Sequence, residues 1–295
     1  MSHLRTIKTP LSVVTPIEHG VRFPDSLELL LAKYEEDIGV FCKLVADVKS
    51  SAELLEKIRS PKIPTPRRMS LLKMFRRCVS LVCDTEATKK IATITTESLV
   101  ENFGHTFKPI EKLKKDFENI SRDKLAALAV LIGEYDLRGQ QGYQLTELFF
   151  DWFEHNLTDY TIDGPRRSGK DVELSSIFPD FEGSCPCDFV IRRKSDNKVM
   201  AVGFARYDST RGGAQSDDRT GGNANKVEKA RAYCQKSSNS FKIIFVAEGP
   251  GLVHKDTWEE ACVLDGSAND MVRVATLKLA ESRITKQWLE TKGKF

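Results

Sequence analysis

Residues 185–192 read Cys185-Pro186-Cys187-Asp188-Phe189-Val190-Ile191-Arg192, and after a polar turn at Lys194 to Lys198 the chain continues Val199-Met200-Ala201-Val202-Gly203-Phe204-Ala205-Arg206. Two apolar, partly β-branched runs of strand length joined by a short polar turn read as a β-hairpin. The hairpin carries an acid, Asp188, on its first strand and leaves its second through a charged exit at Arg206. Further strand-like runs lie at Tyr160 to Ile162 and Phe241 to Ala247, with a helical segment near Ala224 to Ser237 before the last. Upstream, GQQGYQLTELFFDWFEHN from Gly139 places Leu145, Leu148, Phe149 and Trp152 on one helical face. Helix, strands, helix and strand in this order predict an α/β sheet covered on both faces. The tail TLKLAESRITKQWLETKGKF reads as one more amphipathic helix.

Before residue 136 the texture is helical. Leu27, Leu31, Tyr34, Ile38, Phe41 and Val45 recur at steps of four and three, which predicts an amphipathic helix through 26–59. Pro61, Pro64 and Pro66 then interrupt it, because each removes a backbone donor, so a linker or sharp corner is expected there. Helical spacing resumes in RRMSLLKMFRRCVSLVC and from Ile110 to Gly133. The expected division is therefore a mostly helical N-terminal region, 1–135, and an α/β domain, 136–295.

With 295 residues, 40% hydrophobic and 29% charged, the chain can bury a large core, and disorder, collagen and coiled coil are excluded for the whole. The net charge of +3 names no partner; only local clustering can. No run approaches the ~18 apolar residues of a membrane span, and MSHLRTIKTPLSVV lacks the apolar core of a secretory signal. No membrane partner and a cytoplasmic location are expected. Seven cysteines without paired CxxC spacing read as buried thiols, Cys185 and Cys187 included.

From Lys57 to Cys83 there are eight basic residues and no acidic one. Arg67, Arg68, Arg76 and Arg77 within that run are candidate phosphate contacts, the alternative being a solvated basic face. The polar stretch from Arg206 to Lys226 reads as a loop able to reach base edges, or as an ordinary surface loop. Gly164 to Lys170 matches the GxxxxGK frame of a phosphate loop, which would make the chain a nucleotide hydrolase. Asp171 stands where that motif needs Ser or Thr, and no long helix is expected to follow.

The hairpin, its acid and its flanks, over roughly Gly139 to Gly249, resemble the PD-(D/E)XK nuclease superfamily, particularly type II restriction endonucleases. Pro186, Cys187 and Asp188 match the proline and first acid with one residue inserted, and Glu147 matches the helix glutamate. Gly203 stands at the second acid of the E-x-K set and Ala205 at the lysine. The resemblance implies a restriction-endonuclease-like mixed sheet flanked by helices and a magnesium ion (Mg2+) held by acids. It further implies sequence-specific hydrolysis of double-stranded DNA by a homodimer. Asp188 would bridge the metal. Asp218, with Asp217 beside it, would supply an acid migrated onto the following helix, and Glu173 is a further candidate ligand. Arg206 or Lys226 would supply the positive charge, although alternation points Arg206 to the opposite face from Ala205. The downstream segment loosely resembles the recognition segment of the enzyme that cuts GAATTC, so Arg211, Gln215, Arg219, Asn223 and Asn225 are candidate base contacts. The rival reading keeps the fold and removes the chemistry: a DNA-binding subunit in which Gly203 and Ala205 record the loss. Gly203→Glu is then expected to restore cutting if an active parent carried glutamate there.

Overall fold

The computed structural model describes residues 2–137, 140–167, 169–209, 215–293 and 295; the side chains of 135–137 and 215–221 lie outside that description. The chain forms two units, one of Gly20–Gly139 and one of Met1–His19 with Gln140–Phe295. The sequence division at 135 therefore misassigns the first nineteen residues, which belong to the sheet unit. Leu4 is buried in that unit's core. Asp265 accepts the amides of His3 and Leu4 at 2.8 and 3.2 Å, and Glu248 accepts the amide of Thr15 at 2.8 Å.

The helical unit contains α1 (Asp25–Asp47), α2 (Ser51–Arg59), α3 (Thr65–Cys78), α4 (Thr85–Thr88), α5 (Thr96–Phe103), α6 (Ile110–Phe117) and α7 (Arg122–Leu137). Leu31, Tyr34, Ile38, Phe41 and Val45 of α1 are buried, as their spacing predicts. The single helix expected over 26–59 is in fact two. Ser50 caps α2 by accepting the Glu53 amide at 3.0 Å, and Glu53 takes the Lys49 amide at 2.8 Å, so the break is a capping arrangement. The prolines do mark a corner: α2 ends at Arg59 and α3 begins at Thr65, with Pro66 in its first turn, where a missing N–H costs nothing.

In the sheet unit α8 (Gln140–Asn156), β1 (Tyr160–Asp163), β2 (Val172–Glu173), α9 (Leu174–Ile177), β3 (Pro186–Cys187), β4 (Phe189–Arg193) and β5 (Val199–Tyr207) come first. They are followed by α10 (Gln215–Lys236), β6 (Lys242–Glu248), α11 (Lys255–Leu264), α12 (Ser267–Asp270), β7 (Val272–Ala275), α13 (Ala280–Arg283) and α14 (Lys286–Glu290). A five-stranded mixed sheet has the order β1-β4-β5-β6-β7, and β2 pairs with β3 in a separate two-stranded ribbon. β1, β4 and β5 are antiparallel neighbours, whereas β6 and β7 continue parallel to β5. The tail is not one helix: the chain leaves helical geometry at Ile284, and Thr285 caps α14 through the Trp288 amide at 3.1 Å.

Strand alternation sends side chains to two cores. Val190, Val202, Phe204, Ile243 and Phe245 pack with Val227, Ala230 and Tyr233 of α10 and with Ala261 and Leu264 of α11. Phe189, Ile191, Ala201, Ile244 and Val246 pack on the other face with Phe149, Phe150 and Phe153 of α8 and Trp288 of α14.

Candidate functional site

Asp188 sits at the bend between β3 and β4. Its amide donates to the Gly203 carbonyl at 2.9 Å, and its Oδ2 accepts the Ala205 amide at 2.8 Å, so the backbone of β5 holds both the main chain and the carboxylate of Asp188. Oδ1 has no hydrogen-bond partner among the described residues. Gly164 passes directly over this bend; a Cβ there would lie 2.2 Å from the Asp188 carbonyl oxygen, so the turn after β1 requires glycine. Burial raises the Asp188 pKa above the ordinary carboxylate value and nearby Asp171 adds to the rise, while the Ala205 amide and Lys226 oppose it.

Lys226 reaches the same place from α10. Its Nζ lies 4.1 Å from the centroid of the Phe204 ring, and burial lowers its pKa, with Asp188 pulling the other way. A cavity of about 170 Å³ joins Asp188, Phe204, Arg206, Lys226 and, on α11, Glu260. Arg206 donates to buried Asp208 at 2.8 Å from Nε, which fixes the guanidinium beside the cavity. Sequence reasoning missed Asp208, two residues beyond Arg206, and Asp171, which had counted only as the wrong residue for a phosphate loop.

The pairing of β4 with β5 corrects the expected register. Phe189 faces Gly203, so Gly203 and Ala205 point to the α8 side with the Phe189 ring. Phe204 and Arg206 stand on the side of Asp188 and Lys226. A Cβ on Gly203 would meet Phe189 Cζ at 1.9 Å. Gly203 is therefore a packing requirement, and Gly203→Glu cannot restore a carboxylate to this site.

The remaining candidates fall elsewhere. Glu147 is bound by Arg167 at 3.1 and 3.2 Å on α8, which covers the opposite face, and it does not line the Asp188 cavity. Glu173 accepts the Ser184 hydroxyl at 2.8 Å and the Cys185 amide at 3.0 Å, which ties β2 to the segment leading into β3, and it does not line the Asp188 cavity. The stretch read as a base-reading loop is largely the helix α10. Asn223 on it donates to Glu260 at 3.3 Å and lines the cavity, while Asn225 is exposed. Arg211 lies outside the described residues, as do the side chains of Gln215, Asp217, Asp218 and Arg219.

The basic run of the helical unit is paired in three dimensions. Arg67 is bound to Glu36 and, at 2.9 Å, to Asp37; Arg76 meets Asp84 at 3.7 Å and Arg77 meets Glu134 at 3.4 Å. Arg68 donates to the Ile63 carbonyl at 3.1 Å, and Arg59 is buried against the Thr88 carbonyl at 2.9 Å. Acids outside the run thus meet Arg67, Arg76 and Arg77, while Arg59 and Arg68 are tied to backbone carbonyls. The phosphate-loop frame is overturned as well: Arg166 is committed to Asp151 and Glu154 at 2.5 Å each, and only the one-turn helix α9 follows. All seven cysteines are free thiols, and burial pushes Cys187 up to about 12.

Magnesium takes oxygen ligands and is often held by one or two carboxylates, with water and substrate phosphate completing its shell. Asp188 offers one such carboxylate; Asp171 is near enough to raise its pKa but does not line the cavity. No group of three His, Cys, Asp or Glu side chains is gathered for a metal among the described residues. No helix among them is long and apolar enough to cross a membrane. No protein-family model, curated protein or solved structure matches this chain.

Proposed function

We propose that this chain is a magnesium-dependent, sequence-specific endonuclease for double-stranded DNA, of the type II restriction class, centred on Asp188 and Lys226. The observation that carries the reading is their convergence in one cavity at the end of β5. There a lysine from α10 occupies the side of the sheet on which the strand itself offers Phe204 and Arg206. The order α8, antiparallel β1-β4-β5, α10 and parallel β6 supports a restriction-endonuclease-like arrangement.

Asp188 would hold Mg2+. When bound, the ion would offset charge developing on the phosphate and acidify a water. Lys226 Nζ, its pKa lowered by burial, faces the same cavity and is the group we assign to the attacking water. Arg206, oriented by Asp208, keeps positive charge on the phosphate side. A palindromic site would be met by a two-fold homodimer.

One observation favours the non-cutting DNA-binding alternative: Asp208 and Glu260, the other acids of the cavity, are engaged by Arg206 and Asn223. Incubation with mixed-sequence plasmid and magnesium, followed by sequencing of fragment ends, separates the two. Discrete ends, lost in Asp188→Asn and Lys226→Met while a salt-sensitive gel shift survives, support cutting. Intact plasmid with a retained shift supports the binder, and neither ends nor shift would overturn both.

A further inference from the structure

The opposite end of the sheet holds a second polar cavity. Lys242 opens β6 and is only 4% exposed. Its Nζ donates to the Thr291 carbonyl at 2.7 Å, faces the Met271 sulfur at 3.9 Å and lies 5.4 Å from the Trp288 ring centroid. An ammonium has three protons to place, and only one of these partners is a strong acceptor. Burial without a carboxylate partner is costly for a charge, and Lys242 has no ion pair among the described residues.

The group borders a cavity of about 490 Å³ whose rim carries Lys198 and Lys292, both exposed and both without an ion pair among the described residues. On the same wall Arg193 bonds both Glu290 at 2.6 Å and Asp196 at 2.7 Å, so these charges are held by one another. Three lysines without an ion pair among the described residues thus surround one concave site, with a buried donor at its base and Ser240 on its wall, and Asp270 and Glu290 act on Lys242 only from beyond bonding distance. At a strand's ordinary rise, Met200 on this wall is about 20 Å along β5 from Arg206 at the other cavity.

We infer that this cavity binds a phosphate group, with the buried ammonium of Lys242 as its central donor and Lys198 and Lys292 closing over the anion. A phosphate oxygen would take the protons that Thr291 does not, and point-charge lysines suit its several equivalent oxygens. The site is separate from the Asp188 centre and does not depend on the chemistry proposed there.

The test is a titration of the full chain with inorganic phosphate at low salt, followed by calorimetry and phosphorus NMR. Saturable binding is expected, weakened about tenfold or more in Lys242→Met. The exposed pair Lys198→Ala with Lys292→Ala, which leaves the core intact, should weaken it several-fold. Absence of saturation, or equal affinity in both variants, would overturn the assignment. So would binding that survives these changes and disappears in Lys226→Met, since that places the anion at the other cavity. Added duplex DNA then separates the sources of the group: displacement of phosphate supports a DNA backbone phosphate, and simultaneous binding supports a free phosphate or nucleotide.

Discussion

Gly203 offers a direct test of how β4 and β5 are registered. Replacing it by alanine builds a carbon 1.9 Å from Phe189 Cζ and 2.1 Å from Cε2, against the ~3.5 Å at which carbon atoms rest in contact. The ring would have to retreat by about 1.5 Å. It is fully buried, with the Phe149 ring centroid at 5.1 Å and that of Phe150 at 5.9 Å, so neighbouring rings must move with it. Overpacking of this kind costs about 1–3 kcal/mol, and the tightness of the site puts Gly203→Ala near the upper end. For a unit of this size that lowers the melting temperature by about 5–10 °C. Phe189→Ala alone should cost about 3–5 kcal/mol. Combined with Gly203→Ala its cost should shrink by about 2 kcal/mol, because the two changes share one contact. Tryptophan fluorescence during urea unfolding is the assay, since Trp152, Trp258 and Trp288 all belong to the sheet unit. A Gly203→Ala protein unfolding at the parental midpoint, or strictly additive costs, would refute the register and return Gly203 to the site face.

Burial sets the folded pKa of Asp188 above its unfolded value, so its contribution to metal-free stability is present below the ordinary carboxylate range and is lost as pH rises through the raised value. A divalent cation binds the ionised form, so stabilisation by magnesium should appear over that same rise; melting scans with and without magnesium across pH about 4 to 7 check this, and Asp188→Asn should abolish the difference. Arg67→Ala with Arg77→Ala should leave the salt dependence of duplex binding unchanged in gel shifts, because both guanidinium groups already face acids. Glu248→Ala removes the acceptor of the Thr15 and Leu277 amides, both at 2.8 Å, and should cost about 2–4 kcal/mol. Limited proteolysis should then cut within residues 1–19 first.

The strands around Tyr160, Phe189, Val199 and Lys242 were legible because each is an apolar run bounded by polar turns. β7 was not: Val272–Ala275 is four residues long, with Arg273 inside it. Asp188 stood out as an acid on a hairpin, yet a displacement of one residue in β5 exchanges every side chain between faces, and the sequence contains no mark of which face Gly203 takes. Only the Phe189 ring settles that. The basic run misled for a related reason. Arg67 and Asp37 lie 30 residues apart in the chain, a pairing that no local charge count can register.

The fastening of residues 1–19 to Asp265 and Glu248 has a consequence for biosynthesis. The Leu4 amide finds its acceptor 261 residues later in the chain, so it is made long before that partner exists. Throughout translation of the helical unit Leu4 must wait without its core, because the core residues from Leu174 to Val274 all follow that unit in the chain.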